Sequence, residues 1–161
     1  MEYEVTKVEI PPHTLVAVSE RVKLSELTDK VPGLLGEVWQ FIQANQITTT
    51  GHNVIVYDGE TRAPDGDLLL DATFGVEVRG IFNPTNRIVD ASTPGGPSAR
   101  TIHIGSYSEL PRAHDAVRRW CAVSGQRMTG ANWEVYGDWT DDLSQLRTEV
   151  FYQLAQGSRQ V

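Results

Sequence analysis

The chain has 161 residues, with 14 basic and 21 acidic side chains, so its formal net charge at pH 7 is -7. A hydrophobic fraction of 40% and a charged fraction of 22% are ordinary for a globular protein and exclude a disordered or fibrous chain. The acidic balance argues against binding to a nucleic-acid backbone, because such proteins carry a basic face. The length predicts one domain over residues 1–161.

The sequence also bears on location. No apolar run reaches the roughly 18 residues that a membrane helix needs, and the amino-terminal Met1–Val5 segment is acidic rather than basic. Cys121 is the single cysteine, so an internal disulfide and a cysteine-based zinc site are excluded, and we interpret it as a small buried helix residue. We therefore expect a cytoplasmic protein without membrane association.

The first elements in chain order are a strand region and a helix. Residues 3–22 alternate imperfectly, and we interpret the break at Pro11-Pro12 as a bend within one long strand region. Apolar residues then recur at helical spacing over 25–46, which predicts a helix with Pro32 tolerated in its first turn.

Two strands follow the helix, at residues 53–58 and 68–78. Residues 83–99 hold three prolines and two glycines, which is typical of a linker or exposed loop. After this segment the same order of elements returns: a strand at 101–106, a helix at 110–123, and strands at 133–136 and 146–154.

The strand–helix–strand–strand order therefore occurs twice, and residue markers support an internal duplication. Three markers recur in the same order: Ser25-Glu26-Leu27 with Ser108-Glu109-Leu110, Trp39 with Trp120, and Tyr57 with Tyr136. The prediction is an α+β fold of two such units with antiparallel sheets, repeat one at about 1–90 and repeat two at about 99–161. A duplicated fold is expected to hold its ligand in a groove between the repeats.

Glu134 is the most informative residue of the second half. It lies in the Trp133–Tyr136 strand, where the same register of repeat one has Ile55. A strand glutamate among aromatic residues is expected to be partly desolvated, with a raised pKa or a cationic partner. The alternative, of equal weight, is a strand-edge carboxylate that is solvated or paired with an arginine such as Arg147.

Aromatic residues accompany most predicted elements. We assign Trp120 and Phe74 to the core, whereas a tyrosine hydroxyl needs a partner when buried. An aromatic box with one carboxylate suits a flat or cationic organic ligand. The sequence has no glycine-rich phosphate loop, and its four histidines have no metal-ligand spacing, so we expect no cofactor and no metal.

Several stretches together resemble the GyrI-like effector-binding domain family. They are His103-x-Gly105-x-Tyr107-x-x-Leu110, Trp120, Glu134-Val135-Tyr136 and the strand 146–154, while 51–57 and 71–78 resemble the family's degenerate first repeat. Gly137-Asp138-Trp139 and Gln153 depart from the family pattern at a turn and at a strand end. The resemblance implies a stand-alone member with Glu134 in a ligand groove.

Three functions follow from this resemblance. The first is a binding domain for hydrophobic, aromatic or cationic organic molecules, and the second a hydrolase that opens cyclopropane rings of DNA-alkylating compounds with Glu134 and Tyr107. The third is a gyrase-inhibitor-like regulator that binds a protein partner. No direct nucleic-acid binding is expected. The predicted ligand-binding residues are Glu134, Tyr107, Trp133, Tyr136, Trp39 and Tyr57.

Overall fold

A computed structural model describes residues 2–156 and has an α+β architecture of antiparallel strands and two α-helices. The elements are β1 (Thr6–Ile10), β2 (Thr14–Lys23), α1 (Leu27–Ala44), β3 (Thr49–Arg62), β4 (Leu68–Val78), β5 (Val89–Ser92), β6 (Gly96–Ile104), α2 (Leu110–Ser124), β7 (Met128–Tyr136) and β8 (Arg147–Leu154). They form two compact units. The repeat-one unit is residues 13–93, and the repeat-two unit is the described part of 1–12 and 94–161.

The repeat-one unit is a sheet with α1 packed against β2 and β4. Its strands lie in the order β3-β4-β2-β5 and pair antiparallel. The apolar stripe of α1 buries Leu34, Val38 and Ile42. At Gly75 in β4 an added Cβ would lie 2.7 Å from the Val16 carbonyl oxygen, so glycine permits the close approach of β2.

The repeat-two unit repeats this arrangement with strands in the order β1-β6-β8-β7, again antiparallel. Its helix α2 packs against β6 and β8 and ends at Gly125, whose φ of 70° is the left-handed conformation of a glycine cap. The core between helix and sheet consists of buried residues from both: Ala99, Leu110, Ala113, Val117, Cys121, Val150, Tyr152 and Leu154.

The predicted duplication is confirmed at the level of these elements. Each unit has the strand–helix–strand–strand order. In each Ser-Glu-Leu marker the serine and glutamate end a 3-10 turn, and the leucine, Leu27 or Leu110, is the first residue of the helix. Phe74 and Cys121 are buried as expected, whereas Trp120 is only partly buried against the repeat-two core. The groove between the repeats stays a prediction.

Three local predictions were wrong. The Pro11-Pro12 break separates two strands of different units, because β1 pairs with β6 while β2 pairs with β4 and β5. Pro32 is the sixth residue of α1 and so lies inside the helix rather than in its first turn. The predicted loop 83–99 contains β5 and the start of β6.

No helix within residues 2–156 is both long enough and apolar enough to cross a membrane.

Candidate ligand-binding site

Glu134 lies in β7 on the sheet face that α2 covers, and it is 5% exposed. The Oε2 atom is 2.7 Å from Nε2 of His114 in α2. The Oε1 atom accepts a hydrogen bond of 2.5 Å from the Tyr136 hydroxyl. The carboxylate is therefore buried and held at both oxygens, which excludes the solvated strand-edge interpretation, and its histidine partner replaces the arginine that the sequence suggested.

A chain of polar side chains continues from His114. Its Nδ1 atom is 2.6 Å from the Tyr152 hydroxyl, and this hydroxyl accepts a 2.7 Å hydrogen bond from the Arg118 guanidinium. Arg118 in turn donates to Asp115 at 2.6 Å. Burial raises the pKa of Tyr152 to about 12, so the phenol keeps its proton at neutral pH.

Three aromatic rings follow one another outward from the carboxylate, beginning with Tyr136, which donates to it. Tyr107 packs edge-on against Tyr136, with ring centroids 5.3 Å apart, and Trp139 lies 6.4 Å from Tyr107 at a tilted angle. Burial raises the pKa of Tyr107, which keeps its hydroxyl protonated. Tyr107 and Tyr136 are half-buried, and Trp139 is exposed. Of the predicted ligand residues, Tyr136 thus contacts Glu134 and Tyr107 packs against Tyr136, while Trp139 adds a third ring.

The other predicted ligand residues lie elsewhere. Trp133 is on the opposite face of β7, 1% exposed, and stacks on Phe151 with the ring planes 9° apart. Trp39 and Tyr57 belong to the repeat-one unit, where the indole of Trp39 donates a 2.8 Å hydrogen bond to Asn53. The structure therefore does not bring Trp133 together with Glu134, and the binding roles of Trp39 and Tyr57 stay predictions.

The sequence analysis missed His114, Tyr152 and Arg118, although a comparison of the repeats contains the signal. His114 and Val31 each lie four residues after the leucine that begins their helix, and Arg118 and Leu35 lie eight residues after it. In the strands, Glu134 pairs with Val150 in repeat two, and Ile55 pairs with Phe74 in repeat one. Tyr152 lies two residues after Val150, and Val76 lies two residues after Phe74. The polar chain of repeat two therefore corresponds to four apolar residues in repeat one: Val31, Leu35, Ile55 and Val76.

A concave surface of the repeat-two unit lies beside α2. It is an open cleft of about 590 Å³ between the amino-terminal segment and the helix. Its lining combines apolar and charged side chains: Glu2, Tyr3, Val5, Arg112, Asp115, Ala116, Arg119, Trp120 and Val123. Within residues 2–156, no three His, Cys, Asp or Glu side chains are arranged to hold a metal ion.

Comparisons with known proteins identify the family and agree with the fold. A family model described as the GyrI-like small molecule binding domain matches residues 3–155. The crystal structure of the EcmrR C-terminal domain is 20% identical with a TM-score of 0.80, covering 98% of this chain and 100% of that one. A search of curated protein sequences finds no significant match.

Two further solved structures share the fold at lower similarity. SAV2435 bound to tetraphenylphosphonium is 12% identical with a TM-score of 0.57, covering 96% of this chain and 94% of that one. A hydrolase from Listeria innocua is 10% identical with a TM-score of 0.59, covering 94% and 92%. At these identities the three structures show the fold alone.

Proposed function

The chain belongs to the GyrI-like small-molecule-binding domain family, and on this premise we propose that it binds hydrophobic organic cations at Glu134. The observation that carries the proposal is a carboxylate that is 5% exposed, fixed by hydrogen bonds from His114 and Tyr136, and flanked by aromatic rings. A buried carboxylate is costly for folding, and repeat one is built with Ile55 at the same position. The charge is therefore better explained by a ligand than by the core.

The aromatic residues supply the remainder of the site. The rings of Tyr107, Tyr136 and Trp139 present partly exposed faces on which a flat or aromatic cation packs. The carboxylate attracts the positive charge, while the rings contribute apolar contact and cation–π attraction. A neutral compound of similar size keeps only the apolar part of this interaction.

Titration calorimetry with tetraphenylphosphonium, the cation held by the structural neighbour SAV2435, tests the proposal. Glu134→Gln keeps the shape of the side chain and removes its charge, so the binding free energy should weaken by about 1–3 kcal/mol, roughly 5- to 150-fold in affinity. Glu149→Gln is the matched control, because Glu149 lies on the neighbouring strand, on the opposite face, paired with Arg100. Equal affinities for the wild type and Glu134→Gln would refute the proposal.

A second candidate function is hydrolysis of strained, cyclopropane-bearing electrophiles, and the Tyr107 hydroxyl favours it. This hydroxyl is protonated and makes no hydrogen bond to any residue in the range 2–156. In this mechanism water attacks a ring carbon, Glu134 takes the water proton, and the electrons of the broken bond pass to a conjugated carbonyl oxygen, which Tyr107 stabilises by donation.

Incubation with a cyclopropane-bearing alkylator, followed by chromatography of the ring-opened product, tests this second function. Glu134→Gln should slow ring opening by roughly 10²–10⁴-fold if the carboxylate is the general base. Tyr107→Phe should slow it while leaving tetraphenylphosphonium affinity close to that of the wild type. Product formation at the rate of the protein-free control would refute hydrolysis and leave the binding proposal intact.

A further inference from the structure

We infer that Tyr152 and Arg118 are positioning residues that hold His114 in its neutral, Nε2-protonated tautomer, so that His114 orients the Glu134 carboxylate without cancelling its charge. The inference deepens the proposed function and rests on it only for the effect on ligand affinity. The tautomer itself follows from the hydrogen-bond donors and acceptors along the chain of contacts.

The argument begins at the Arg118 end. A guanidinium has only donors, so the contact between Arg118 and the Tyr152 hydroxyl uses the tyrosine oxygen as acceptor. The Tyr152 phenol is protonated and must itself donate, and its remaining partner is Nδ1 of His114 at 2.6 Å. Nδ1 is therefore an acceptor and carries no proton.

The proton of the imidazole then lies on Nε2, which donates to Oε2 of Glu134 at 2.7 Å. The direction of donation is continuous: Arg118 to Tyr152, Tyr152 to His114, and His114 to Glu134. A neutral imidazole at this position supplies a hydrogen bond, whereas an imidazolium would form an ion pair and remove the net charge that attracts a cationic ligand.

Charged and titratable groups reach His114 from each element around it. Arg118 and Asp115 are on its own helix, Glu134 and Tyr136 are on β7, and Tyr152 is on β8. The two carboxylates and Arg118 carry opposite charges around the ring, and the Tyr152 hydroxyl occupies Nδ1 as a donor. Without the Tyr152 hydroxyl, Nδ1 becomes free to take up a proton and Glu134 stabilises it.

The repeat-one unit supports a functional origin of this arrangement. Its corresponding positions are occupied by apolar residues: Val31, Leu35, Ile55 and Val76. Ile55 and Val76 are fully buried there, so the fold is compatible with apolar side chains at these positions. The polar chain of repeat two is thus an addition to the fold, and its direction of donation leads to Glu134.

Nitrogen NMR of histidine-labelled protein tests the tautomer without any ligand. Long-range ¹H–¹⁵N spectra at neutral pH should show a deprotonated Nδ1 and a protonated Nε2 for His114. In Tyr152→Phe, Nδ1 should take up a proton as the pH is lowered, because the hydroxyl that donates to it is absent. His114→Asn identifies the signals by their disappearance. A doubly protonated or Nδ1-protonated His114 in the wild type would overturn the inference.

Affinity measurements then test the consequence for the site. In Tyr152→Phe, tetraphenylphosphonium affinity should fall about tenfold near pH 6 and recover toward the wild-type value as the pH rises and His114 loses its added proton. A loss of equal size at every pH would indicate a purely structural role and overturn the inference. Arg118 is half-exposed, so Arg118→Ala should leave the fold intact. Like Tyr152→Phe, it should favour a proton on Nδ1 of His114, and Arg118→Lys should restore the neutral tautomer.

Tyr3→Phe is the matched control. The Tyr3 hydroxyl contacts Nδ1 of His103 at 2.8 Å, and Nε2 of His103 donates to the Ser106 carbonyl, so the same tyrosine–histidine contact occurs in the same unit. This variant should alter the signals of His103 and leave cation affinity unchanged. If the wild type shows the neutral His114 tautomer and Tyr152→Phe changes it, but neither protein binds tetraphenylphosphonium, the inference on the tautomer stands and the proposed function fails.

Discussion

Replacing Glu134 with isoleucine places at this position the same residue type that repeat one has at the corresponding position, Ile55. The substitution removes a carboxylate that is 5% exposed and places an apolar side chain against the α2 core. Replacing a buried charge with a well-packed apolar side chain commonly stabilises a protein by about 1–4 kcal/mol, and this figure already includes burial of the apolar side chain. The fold should therefore tolerate the change.

The opposing contribution is the loss of an acceptor for two donors, the Tyr136 hydroxyl and Nε2 of His114. Each costs about 1–3 kcal/mol when it is cut off from water. The side chain of His114 is 14% exposed and Tyr136 is half-buried, so water can reach both and the cost lies at the lower end, about 2 kcal/mol together. The free energy of unfolding of Glu134→Ile should be unchanged or about 1–2 kcal/mol higher than that of the wild type.

Urea denaturation with a check for an unchanged m-value, and thermal unfolding, measure this difference. A gain of 1 kcal/mol corresponds to about 2–4 °C in Tm for a chain of this length. The reciprocal change, Ile55→Glu, should lose several kcal/mol, because Ile55 is 1% exposed in an apolar core. A loss of more than about 2 kcal/mol in Glu134→Ile would show that the carboxylate is retained for folding, which would refute the reasoning.

Three other predictions concern stability and partners. Gly75→Ala should destabilise the protein by about 1–3 kcal/mol in urea denaturation, because its Cβ would clash with the Val16 carbonyl. Gly36→Ala has no atom within 4 Å of an added Cβ and should stabilise the protein by about 1 kcal/mol through helix propensity. Equal effects of the two substitutions would contradict the geometry. The pKa of Tyr152 is about 12 in the folded chain, above the ordinary value of 10.0. The contribution of its protonated hydroxyl to the free energy of unfolding is therefore complete below pH 10 and is lost as the pH rises toward 12. The difference in unfolding free energy between the wild type and Tyr152→Phe should therefore shrink by up to about 2–3 kcal/mol over that range, and a pH-independent difference would argue against the shift. Fluorescence anisotropy with duplex DNA at physiological salt should detect no specific binding at sub-micromolar protein, because the net charge is -7; saturable binding would contradict this expectation.

Most elements of the fold could be predicted because their apolar periodicity is strong. The strand Leu68–Val78 was predicted with its observed bounds, and both helices were located to within two residues at each end. The pairing of the strands was harder to predict than their positions. Pro11-Pro12 ends a strand, but it does not reveal which strands the flanking strands β1 and β2 pair with. β5 was missed because its four residues lie in a segment rich in proline and glycine, where local sequence favours a loop.

The candidate site was predicted only in part, for a related reason. Glu134 stood out because its counterpart in the other repeat is aliphatic, and this comparison needs only one strand register. His114 has no metal-ligand spacing to another histidine, and no local pattern reveals its contacts with Glu134 and Tyr152, which join three elements that are distant in sequence. Long-range contacts of this kind depend on tertiary packing, which periodicity does not encode. The cytoplasmic location expected from the sequence stays a prediction.

The pairing of β1 with β6 has a consequence for how the chain assembles. The repeat-one unit is one uninterrupted stretch, so all its strands have been synthesised once Ser92 is made. β1 is made first, yet its partner β6 follows only after that entire unit, and the intervening loop must close before the pair forms. β7 and β8 come later still, so the side chains around Glu134 meet only once β8 has been synthesised. The amino-terminal strand thus gains its partner β6 only after the repeat-one unit has been synthesised, and the proposed ligand site is completed only after β8.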